Sequence, residues 1–464
     1  MKLYNSLTKE VEELKPQNLP VVTVYTCGPT VYDYPHIGNW FTFIRYDLLI
    51  RALIAEAAQP KWVMNITDVG HLTSDADDGE DKLEKGAKRE GKTAWDIAEF
   101  YSTYFIDGLE RLNFLQPSYL ERATKHIKEQ LDLIKRLEAK GFTYIIDDGV
   151  YYDTSKFPKY ADFAQLDLDE QQTADRIIVN PQKKNASDFA LWKFSPKDHN
   201  RDMEWDSPWG KGFPGWHIEC SAIAMKFLGE TLDIHSGGID HVPIHHTNEI
   251  AQSEAVTGKP LALTWMHTNH VLVEGEKIAK SAGNGITLED IEAKGYNLMT
   301  FRLLVLESHY RTQSKFSWGT LTAAQSRLNN WYGIAVLRWQ LTDASIAPQD
   351  STATADIRKP LLDDLNTPQA LSNIDDYFST IADQLVSRIT VEGFEARLSE
   401  IDGLLGLDLM KQPDISDAHK KLITRRETAR AEQDWSKSDE LRNELAKQGI
   451  GVRDTPGGSI WYRV

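Results

Sequence analysis

Residues 21–66 read VVTVYTCGPTVYDYPHIGNWFTFIRYDLLIRALIAEAAQPKWVMNI, and this stretch decides the fold. Its first six residues, 21–26, are β-branched or aromatic and lie between Pro20 and a Gly-Pro turn, which predicts a buried parallel strand. Apolar residues at helical spacing predict a helix over about residues 38–58, and residues 61–66 predict a second strand. A strand, a helix and a strand in this order form a βαβ unit. We therefore predict an α/β protein built on a Rossmann-type, doubly wound parallel sheet.

Beyond this unit the α/β pattern is interrupted once and then resumes. Further strands are predicted at residues 232–235 and 270–274, with a helix from His245 between them. Almost every segment after Thr287 is predicted to be helical, and the end of the chain is predicted to form a hairpin. The predicted segments are the first half of the sheet domain (1–114), a connective insertion (115–205), the second half of the sheet domain (206–286), a helical connector (287–345), a helical bundle (346–410) and C-terminal helices with the hairpin (411–464).

The composition is that of a globular protein. Of 464 residues, 41% are hydrophobic and 26% are charged, and no run of about 18 apolar residues occurs, which excludes collagen-like, disordered and membrane-spanning classes. The net charge of −17 argues against a general nucleic-acid coat protein, although residues 411–464 hold 11 basic and 9 acidic residues and so favour RNA locally. The chain has two cysteines, too few for a disulfide framework, and its N-terminus lacks a signal-peptide pattern. We therefore expect a reducing, cytoplasmic location.

The two cysteines are candidates for a metal site. Cys27 follows the first predicted strand, Cys220 lies 193 positions later, and His245 and Glu249 lie four apart on one predicted helix face. Two thiolates, an imidazole and a carboxylate suit tetrahedral zinc. Because the four residues are dispersed in the sequence, a second interpretation stays open. In that interpretation the cysteines are small buried hydrophobic residues, and His245 and Glu249 form a pair on a helix surface.

A short motif at the start of the first helix suits a phosphate group. His36-Ile37-Gly38-Asn39 places a glycine and polar side chains at a helix N-terminus, where backbone N–H groups and the helix dipole favour anions. The same residues are also typical of a capped helix start that binds no ligand.

Two later segments add candidates for nucleotide binding. Lys277 and Lys280 lie three apart in a glycine- and serine-containing segment, where they would either neutralise a triphosphate or remain solvated surface charges. Gly238 follows a predicted strand and permits the close approach of a nucleotide, and Asp240 suits a ribose.

In their order and spacing, these segments resemble the class I aminoacyl-tRNA synthetases, with His36-Ile37-Gly38-Asn39 in place of the HIGH motif and Lys277-Ile278-Ala279-Lys280-Ser281 in place of KMSKS. The closer resemblance is to the cysteinyl-tRNA synthetases, and it runs from about residue 2 to the C-terminus. The blocks that carry it are residues 25–33, 65–68, 214–221, 245–253, 277–284 and 454–461.

This resemblance implies a set of site residues. It implies one zinc ion per chain, held by Cys27, Cys220, His245 and Glu249, and a substrate pocket that includes Cys27, Thr67 and Trp216. It implies that ATP is bound, with magnesium, by His36, Gly38, Asn39, Gly238, Asp240 and Lys280, and that His36, Asn39, Lys277 and Lys280 stabilise charge on the reacting phosphates. The chain departs from the family pattern at two positions. Asn39 replaces a histidine and so cannot be cationic, and Ala279 lacks a hydroxyl, but both motif lysines are retained.

The resemblance also assigns the C-terminal region to the tRNA anticodon. We predict a helix that carries Trp435 and Asp439 four residues apart, with Arg430 upstream. Its indole would stack on an unpaired base, although from the residues alone Trp435 is equally well placed in a helix core. Four basic residues upstream are candidates to meet tRNA phosphates, although a solvated surface position is the better expectation for any one of them: Arg302, Arg311, Lys315 and Arg327.

The activity implied is ATP-dependent ligation of L-cysteine to tRNA-Cys by a cytoplasmic monomer. Activation would give cysteinyl-adenylate, and recognition of the substrate thiol by zinc would exclude serine, because a metal deprotonates a thiol far more readily than an alcohol. Two alternatives stay open at this point. One is a ligase that passes activated cysteine to an aminosugar, and the other is an inactive paralogue that binds zinc or RNA.

Overall fold

The computed structural model describes residues 1–70, 81–166, 180–196, 201–277, 285–340, 356–384, 390–455 and 458–463. The chain divides into two compact units, Met1–Asp290 with Tyr310–Lys315 and Ile291–His309 with Phe316–Val464. The boundaries of the six predicted segments are finer than this division and stay predictions. Across the described ranges, no helix is both long enough and apolar enough to cross a membrane.

In chain order, the helices and strands are β1 (Lys2–Asn5), β2 (Glu10–Glu13), β3 (Val21–Thr26), α1 (Ile37–Ala55), β4 (Gln59–Ile66), α2 (Lys82–Glu90), α3 (Ala94–Arg111), β5 (Tyr119–Arg122), α4 (Ile127–Ala139), β6 (Thr143–Ile146), β7 (Gly149–Tyr152), β8 (Phe189–Phe194), β9 (Gly212–Pro214), α5 (Trp216–Leu228), β10 (Leu232–Gly238), α6 (Thr247–Thr257), β11 (Ala262–Thr268), β12 (Val271–Val273), β13 (Glu276–Lys277), α7 (Leu288–Ala293), α8 (Leu298–Leu306), β14 (Ser314–Phe316), α9 (Trp318–Ala335), α10 (Arg358–Leu362), α11 (Thr367–Gln384), α12 (Val391–Leu405), α13 (Asp417–Ala431), α14 (Trp435–Lys447), β15 (Ile450–Thr455) and β16 (Gly458–Arg463).

A five-stranded parallel sheet forms the centre of the first unit. Its strand order is β11-β10-β3-β4-β5, and each neighbouring pair is parallel. Val22, Val24 and Tyr25 of β3 are fully buried, as a central strand covered on both faces requires. The chain adds β4 and β5 on one side of β3, and β10 and β11 on the other. The carboxyl ends of β3 and β10 therefore mark the topological switch point, where open α/β sheets bind ligands.

A four-stranded antiparallel sheet lies in the region of the predicted insertion. Its strand order is β6-β7-β8-β9, and it packs through Trp192 against Leu137 of α4 and Ile218 of α5. Its last strand ends at Pro214, beyond the predicted end of the insertion and directly before α5. This sheet therefore fixes the start of the helix that carries Cys220.

In the second unit, the described residues after Phe316 are helical apart from an antiparallel pair, β15 and β16. Leu441 and Leu445 of α14 pack against Ile450 and Trp461 of this pair in one buried cluster. The predicted C-terminal hairpin is thus confirmed, and apolar burial against α14 stabilises it.

The predicted fold class is confirmed, but one predicted strand belongs to a different sheet and one strand of the parallel sheet was missed. The strand predicted at residues 270–274 is the shorter β12, and it belongs to a small sheet with β13 and β14 rather than to the parallel sheet. The parallel strand at this edge is β11, which was not predicted. Its carboxyl end carries His267 and Thr268, and these polar residues weaken the apolar pattern that predicts a buried strand.

Candidate active site and metal centre

A cavity of about 420 Å³ opens at the carboxyl edge of the parallel sheet. Its walls come from residues that follow β3, β4, β10 and β11 and from the first turns of α1. The predicted site residues that line this cavity are Cys27, His36, Gly38, Asn39, Thr67, Trp216, Cys220, Gly238, Asp240 and His245. The parallel sheet therefore brings together residues that are more than 200 positions apart in the sequence.

Four of the predicted residues converge beside this cavity. Cys27 follows β3, Cys220 lies in α5, His245 lies in a π-helical turn and Glu249 lies in the first turn of α6. Each offers one donor atom, and the four atoms lie within 4.8 Å of one another. All four residues are buried. Two thiols, an imidazole and a carboxylate in this small volume match the ligands of tetrahedral zinc, so the residues fit the metal that the sequence predicts.

A second donor set overlaps the first: Cys27, His235, His246 and Glu249 also bring donor atoms within 4.8 Å of one another. In this second set, Nε2 of His235 lies 3.0 Å from Oε2 of Glu249, and Nδ1 of His246 lies 2.7 Å from Nε2 of His267. Neither His235 nor His246 lines the cavity, whereas both cysteines and His245 of the first set do. The first set is therefore the one that a substrate in the cavity would reach.

His217 supports the candidate ligand His245. Nδ1 of His217 lies 3.0 Å from Nδ1 of His245, while Nε2 of His245 lies 3.1 Å from Oε1 of Glu249. Nε2 is therefore the nitrogen that faces the donor set. A hydrogen bond at the opposite ring nitrogen fixes the tautomer and orientation of a metal-binding histidine. The Trp216 ring packs against His245, and the two ring centroids lie 4.4 Å apart.

The charges in this cluster influence one another strongly. Burial raises the pKa of the Cys27 thiol, and a hydrogen bond with Cys27 lowers the pKa of the Cys220 thiol. Burial opposes protonation of His245, but the negative charges of Cys220 and Glu249 outweigh it and raise its pKa to about 10. Burial also opposes ionisation of Glu249, yet His235 and His245 lower its pKa to about 2. The buried Glu249 carboxylate is thus balanced by protonation of His245, and a cation bound to the set would take over this role as His245 gives up its proton.

The start of α1 is capped by the residues that were predicted to bind phosphate. Nδ1 of His36 accepts a hydrogen bond from the backbone N–H of Asn39 at 3.3 Å, and Oδ1 of Asn39 accepts one from the backbone N–H of His36 at 3.1 Å. This reciprocal pair is a capping box. With Nδ1 of a neutral His36 as the acceptor, its Nε2 carries the ring proton, and the side-chain amide of Asn39 is a donor through Nδ2. The two interpretations of the motif are compatible, because the residues cap the helix and also line the cavity.

The described residues on both sides of the lysine segment have defined partners. Lys277 ends β13, which pairs with β12. On the other side, the carbonyl oxygen of Ile286 accepts a hydrogen bond from the backbone N–H of Ile37 at 2.8 Å. Ile286 therefore contacts the first residue of α1. Lys280 and the side chain of Lys277 lie outside the part of the chain that the structure describes, and their roles stay predictions.

The side wall of the cavity is held by a short hydrogen-bond chain. Thr67 donates to Oε2 of Glu219 at 3.0 Å and accepts from Nδ2 of Asn65 at 3.0 Å. Oδ1 of Asn65 accepts from the backbone N–H of Gly28 at 2.9 Å. A Cβ atom at Gly28 would lie 1.8 Å from the carbonyl oxygen of Asn65, so only glycine permits the turn after β3 to approach the end of β4 this closely. Thr67 is thereby fixed at the wall where the sequence predicts the amino-acid pocket.

Five histidines near the four-residue donor set were not predicted as site residues. They are His217, His235, His241, His246 and His267. Burial lowers the pKa of His241 to about 4 and lowers the pKa of His246 and His267 well below the ordinary value. These three rings are neutral at pH 7 and can orient neighbours without adding charge. The adjacent pair His245 and His246 was a signal in the sequence, but the others become neighbours only when the strands pair.

The predicted anticodon-binding residues lie in the second unit, and Trp435 and Asp439 share one helix, as predicted. Arg430 lies in the last turn of α13, and Trp435 begins α14, whose first turn is capped by Asp434. The Arg430 guanidinium lies 5.6 Å from the Trp435 ring centroid and 3.0 Å from a carboxylate oxygen of Asp454. Trp435 is 57% exposed, which excludes the helix-core alternative, and Asp439 is exposed on the same helix.

The upstream basic residues differ in exposure. Arg302 is fully buried and donates to the carbonyl oxygen of Leu405, so the prediction that it meets a phosphate was wrong. Arg327 pairs with Asp375 and Glu307. The other two predicted contacts, Arg311 and Lys315, are exposed.

Comparison with known proteins identifies the family over almost the whole chain. Residues 13–326 match the family model of the class I (C) tRNA synthetase catalytic domain, and residues 412–463 match that of the cysteinyl-tRNA ligase anticodon binding domain. A cysteine–tRNA ligase of Treponema denticola is 39% identical over 494 residues and covers 100% of both chains. Cysteine–tRNA ligase 1 of Burkholderia lata is 42% identical over 461 residues, covering 98% of this chain and 95% of the relative.

The solved structures show the same fold. Methionyl-tRNA synthetase of Mycobacterium tuberculosis in complex with methionyl-adenylate has a TM-score of 0.59 at 14% identity, covering 84% of this chain and 93% of that one. These matches do not favour an aminosugar ligase or an inactive paralogue, because both the catalytic and the anticodon binding models match. The chain belongs to the family of class I cysteine–tRNA ligases.

Proposed function

We propose that this chain ligates L-cysteine to tRNA-Cys, acting as a cytoplasmic monomer. In the first step the cysteine carboxylate attacks the α-phosphorus of ATP, which forms cysteinyl-adenylate and releases pyrophosphate. In the second step a 3′-terminal ribose hydroxyl of tRNA takes the cysteinyl group, and AMP leaves. The observation that carries the proposal is that a thiol-rich donor set and a capped helix start line one cavity at the switch point of the sheet.

The first step depends on positioning and charge stabilisation. Its nucleophile is already an anion, so no general base is required. His36 and Asn39 would donate hydrogen bonds to the α- and β-phosphate oxygens, in the direction favoured by the dipole of α1. Lys277 and Lys280 would stabilise the departing pyrophosphate together with the magnesium that accompanies ATP.

The nucleoside is proposed to lie at the end of β10. A Cβ atom at Gly238 would lie 2.3 Å from Oδ1 of Asp240, so glycine lets the carboxylate fold back over the strand end. Asp240 is exposed at the cavity wall and would accept hydrogen bonds from the ribose.

Selection of cysteine is proposed to come from the donor set. Cys27, Cys220, His245 and Glu249 would hold zinc, and zinc bound there favours a thiolate over an alkyl hydroxyl. Trp216 and Thr67 line the cavity beside this set and would enclose the short side chain. A pocket that selected by size alone would favour cysteine over serine by only roughly 10- to 200-fold. The anticodon would meet Arg430, Trp435 and Asp439.

The proposal is tested by transfer of labelled cysteine to unfractionated tRNA, with cysteine-dependent ATP–pyrophosphate exchange measured in parallel. We expect exchange without tRNA, charging of tRNA-Cys alone, and loss of both in Cys27→Ser, with a single-chain mass in sedimentation. Exchange without charging of any tRNA would contradict the ligase and favour a different acceptor.

A further inference from the structure

One side of the catalytic cavity continues into exposed aromatic side chains. Of the described residues that line the cavity, Tyr34 and Asp240 are the strongly exposed ones, so each marks an opening of the described wall. Tyr34 is 41% exposed, and Phe100 of α3, outside the cavity, is 44% exposed. Their ring centroids lie 6.1 Å apart at an interplanar angle of 80°. The cavity wall and α3 therefore share one aromatic surface.

Further rings hold this surface in place. Tyr34 also meets Tyr101 and Tyr104 edge-on, with centroids 5.0 and 4.8 Å away. The hydroxyl of Tyr101 donates to Glu90, and that of Tyr104 to Glu289. We call Tyr34, Phe100, Tyr101 and Tyr104 the rim platform. Its rings are fixed before any ligand arrives, which lowers the entropic cost of stacking against them.

A basic surface adjoins the rim platform in a chain whose net charge is −17. Residues 82–92 hold five basic and two acidic side chains. Lys85, Lys88, Arg89 and Lys92 are exposed, and Nζ of Lys92 lies 5.0 Å from the Phe100 ring centroid. Arg89 and Lys92 share the single carboxylate of Glu90, at 3.0 and 3.2 Å, and the Arg89 guanidinium also lies 3.9 Å from Asp33. With Asp33 counted, and also Asp96 of α3, which interacts with Lys92, these side chains keep one net positive charge.

We infer that the rim platform and the exposed basic side chains of Lys85, Lys88, Arg89 and Lys92 bind the unpaired 3′ end of tRNA. The inference rests on the proposed function. Stacking aromatics beside backbone-neutralising cations are what proteins use to bind single-stranded nucleic acid. The terminal ribose must lie inside the cavity, so the nucleotides before it have to leave through an exit. A polyanion leaves past Tyr34 and the basic side chains rather than past the carboxylate of Asp240.

The inference is tested with Phe100→Ala, since Phe100 does not line the cavity. We expect kcat/KM for tRNA to fall roughly 5- to 50-fold, within the range that loss of one base–aromatic stack produces, while cysteine-dependent pyrophosphate exchange changes less than twofold. Lys88→Gln combined with Lys92→Gln should weaken tRNA binding and reduce its dependence on salt. Trp95→Ala on α3 and Lys135→Gln on α4 are the matched controls. Both side chains are exposed, and their contacts are with Asp202 and Trp205 for Trp95 and with Asp132 for Lys135, not with the rim platform.

A truncated substrate separates binding from general damage. The wild-type chain should bind intact tRNA more tightly than tRNA that lacks its last three nucleotides, and Phe100→Ala should abolish this preference. The inference is overturned if Phe100→Ala charges tRNA at the wild-type rate, or if it keeps the full preference for intact tRNA. A wild-type chain that exchanges pyrophosphate but charges no tRNA overturns the proposed function instead, so the two failures are distinct.

Discussion

Replacing His217 with phenylalanine is expected to weaken zinc binding about 10- to 100-fold. His217 is buried, and its Nδ1 atom lies 3.0 Å from Nδ1 of His245, opposite the nitrogen that faces the donor set. Loss of such a supporting hydrogen bond typically costs this factor in metal affinity, which corresponds to about 1.4–2.7 kcal/mol. Phenylalanine keeps a ring in the same space, where the edge-on neighbour Phe189 has its centroid 5.5 Å away. The expected defect is therefore in metal affinity rather than in folding.

The assay is competition for zinc between the folded chain and a chromophoric chelator at neutral pH. His126→Phe is the matched control, because His126 is also buried but hydrogen-bonds Glu121 instead of a candidate ligand. A His217→Phe chain that holds zinc as tightly as the wild type would refute the reasoning, because His245 would then need no orienting partner. Equal losses in both variants would refute it as well.

Three further results are expected. Gly28→Ala should lower the melting temperature of the first unit, measured by calorimetry, and its zinc content, measured by metal analysis. The reason is that the new Cβ atom would lie 1.8 Å from the carbonyl oxygen of Asn65. An unchanged melting curve would contradict this. Arg426 lowers the pKa of Asp454 to about 2, so the ion pair stabilises the C-terminal hairpin at neutral pH and is lost as the pH falls from about 4 to 2. Asp454→Asn should therefore speed hydrogen exchange of the hairpin amides at pH 7. Exchange at the wild-type rate would exclude the ion pair as the anchor of the hairpin. Trp435→Ala should reduce kcat/KM for tRNA at least fivefold in charging assays without changing the melting temperature, because the indole is mostly exposed, and a loss of stability alone would point to a structural role.

Local pattern was enough to predict the centre of the fold. The strand at residues 21–26 has the predicted bounds, because it is short, β-branched and enclosed by turn residues. The helix after it begins at Ile37, where His36 and Asn39 cap it. Such features depend on neighbours in the sequence, so they can be recognised without the fold.

The parts of the site that depend on strand pairing were harder to predict. His235 and His267 lie on adjacent parallel strands, and their proximity follows from a register that the sequence does not display. The pairing of His217 with His245 likewise needs α5 and the π-helical turn to pack together. Residue types alone made the donor set a candidate. Only the resemblance to a family favoured it over two buried cysteines and a helix-surface pair, since its four members are spread over more than 220 residues. Arg302 shows the opposite case, in which a basic residue expected at the surface is buried.

The measurement that tests the central claim most directly is the ratio of kcat/KM for cysteine and serine in ATP–pyrophosphate exchange, before and after removal of the metal. The four-residue donor set predicts that chelation abolishes exchange with cysteine. Stoichiometric zinc should then restore exchange with a preference over serine well above the roughly 200-fold that pocket size alone provides. Metal-free protein that exchanges pyrophosphate with cysteine and still excludes serine would contradict the account.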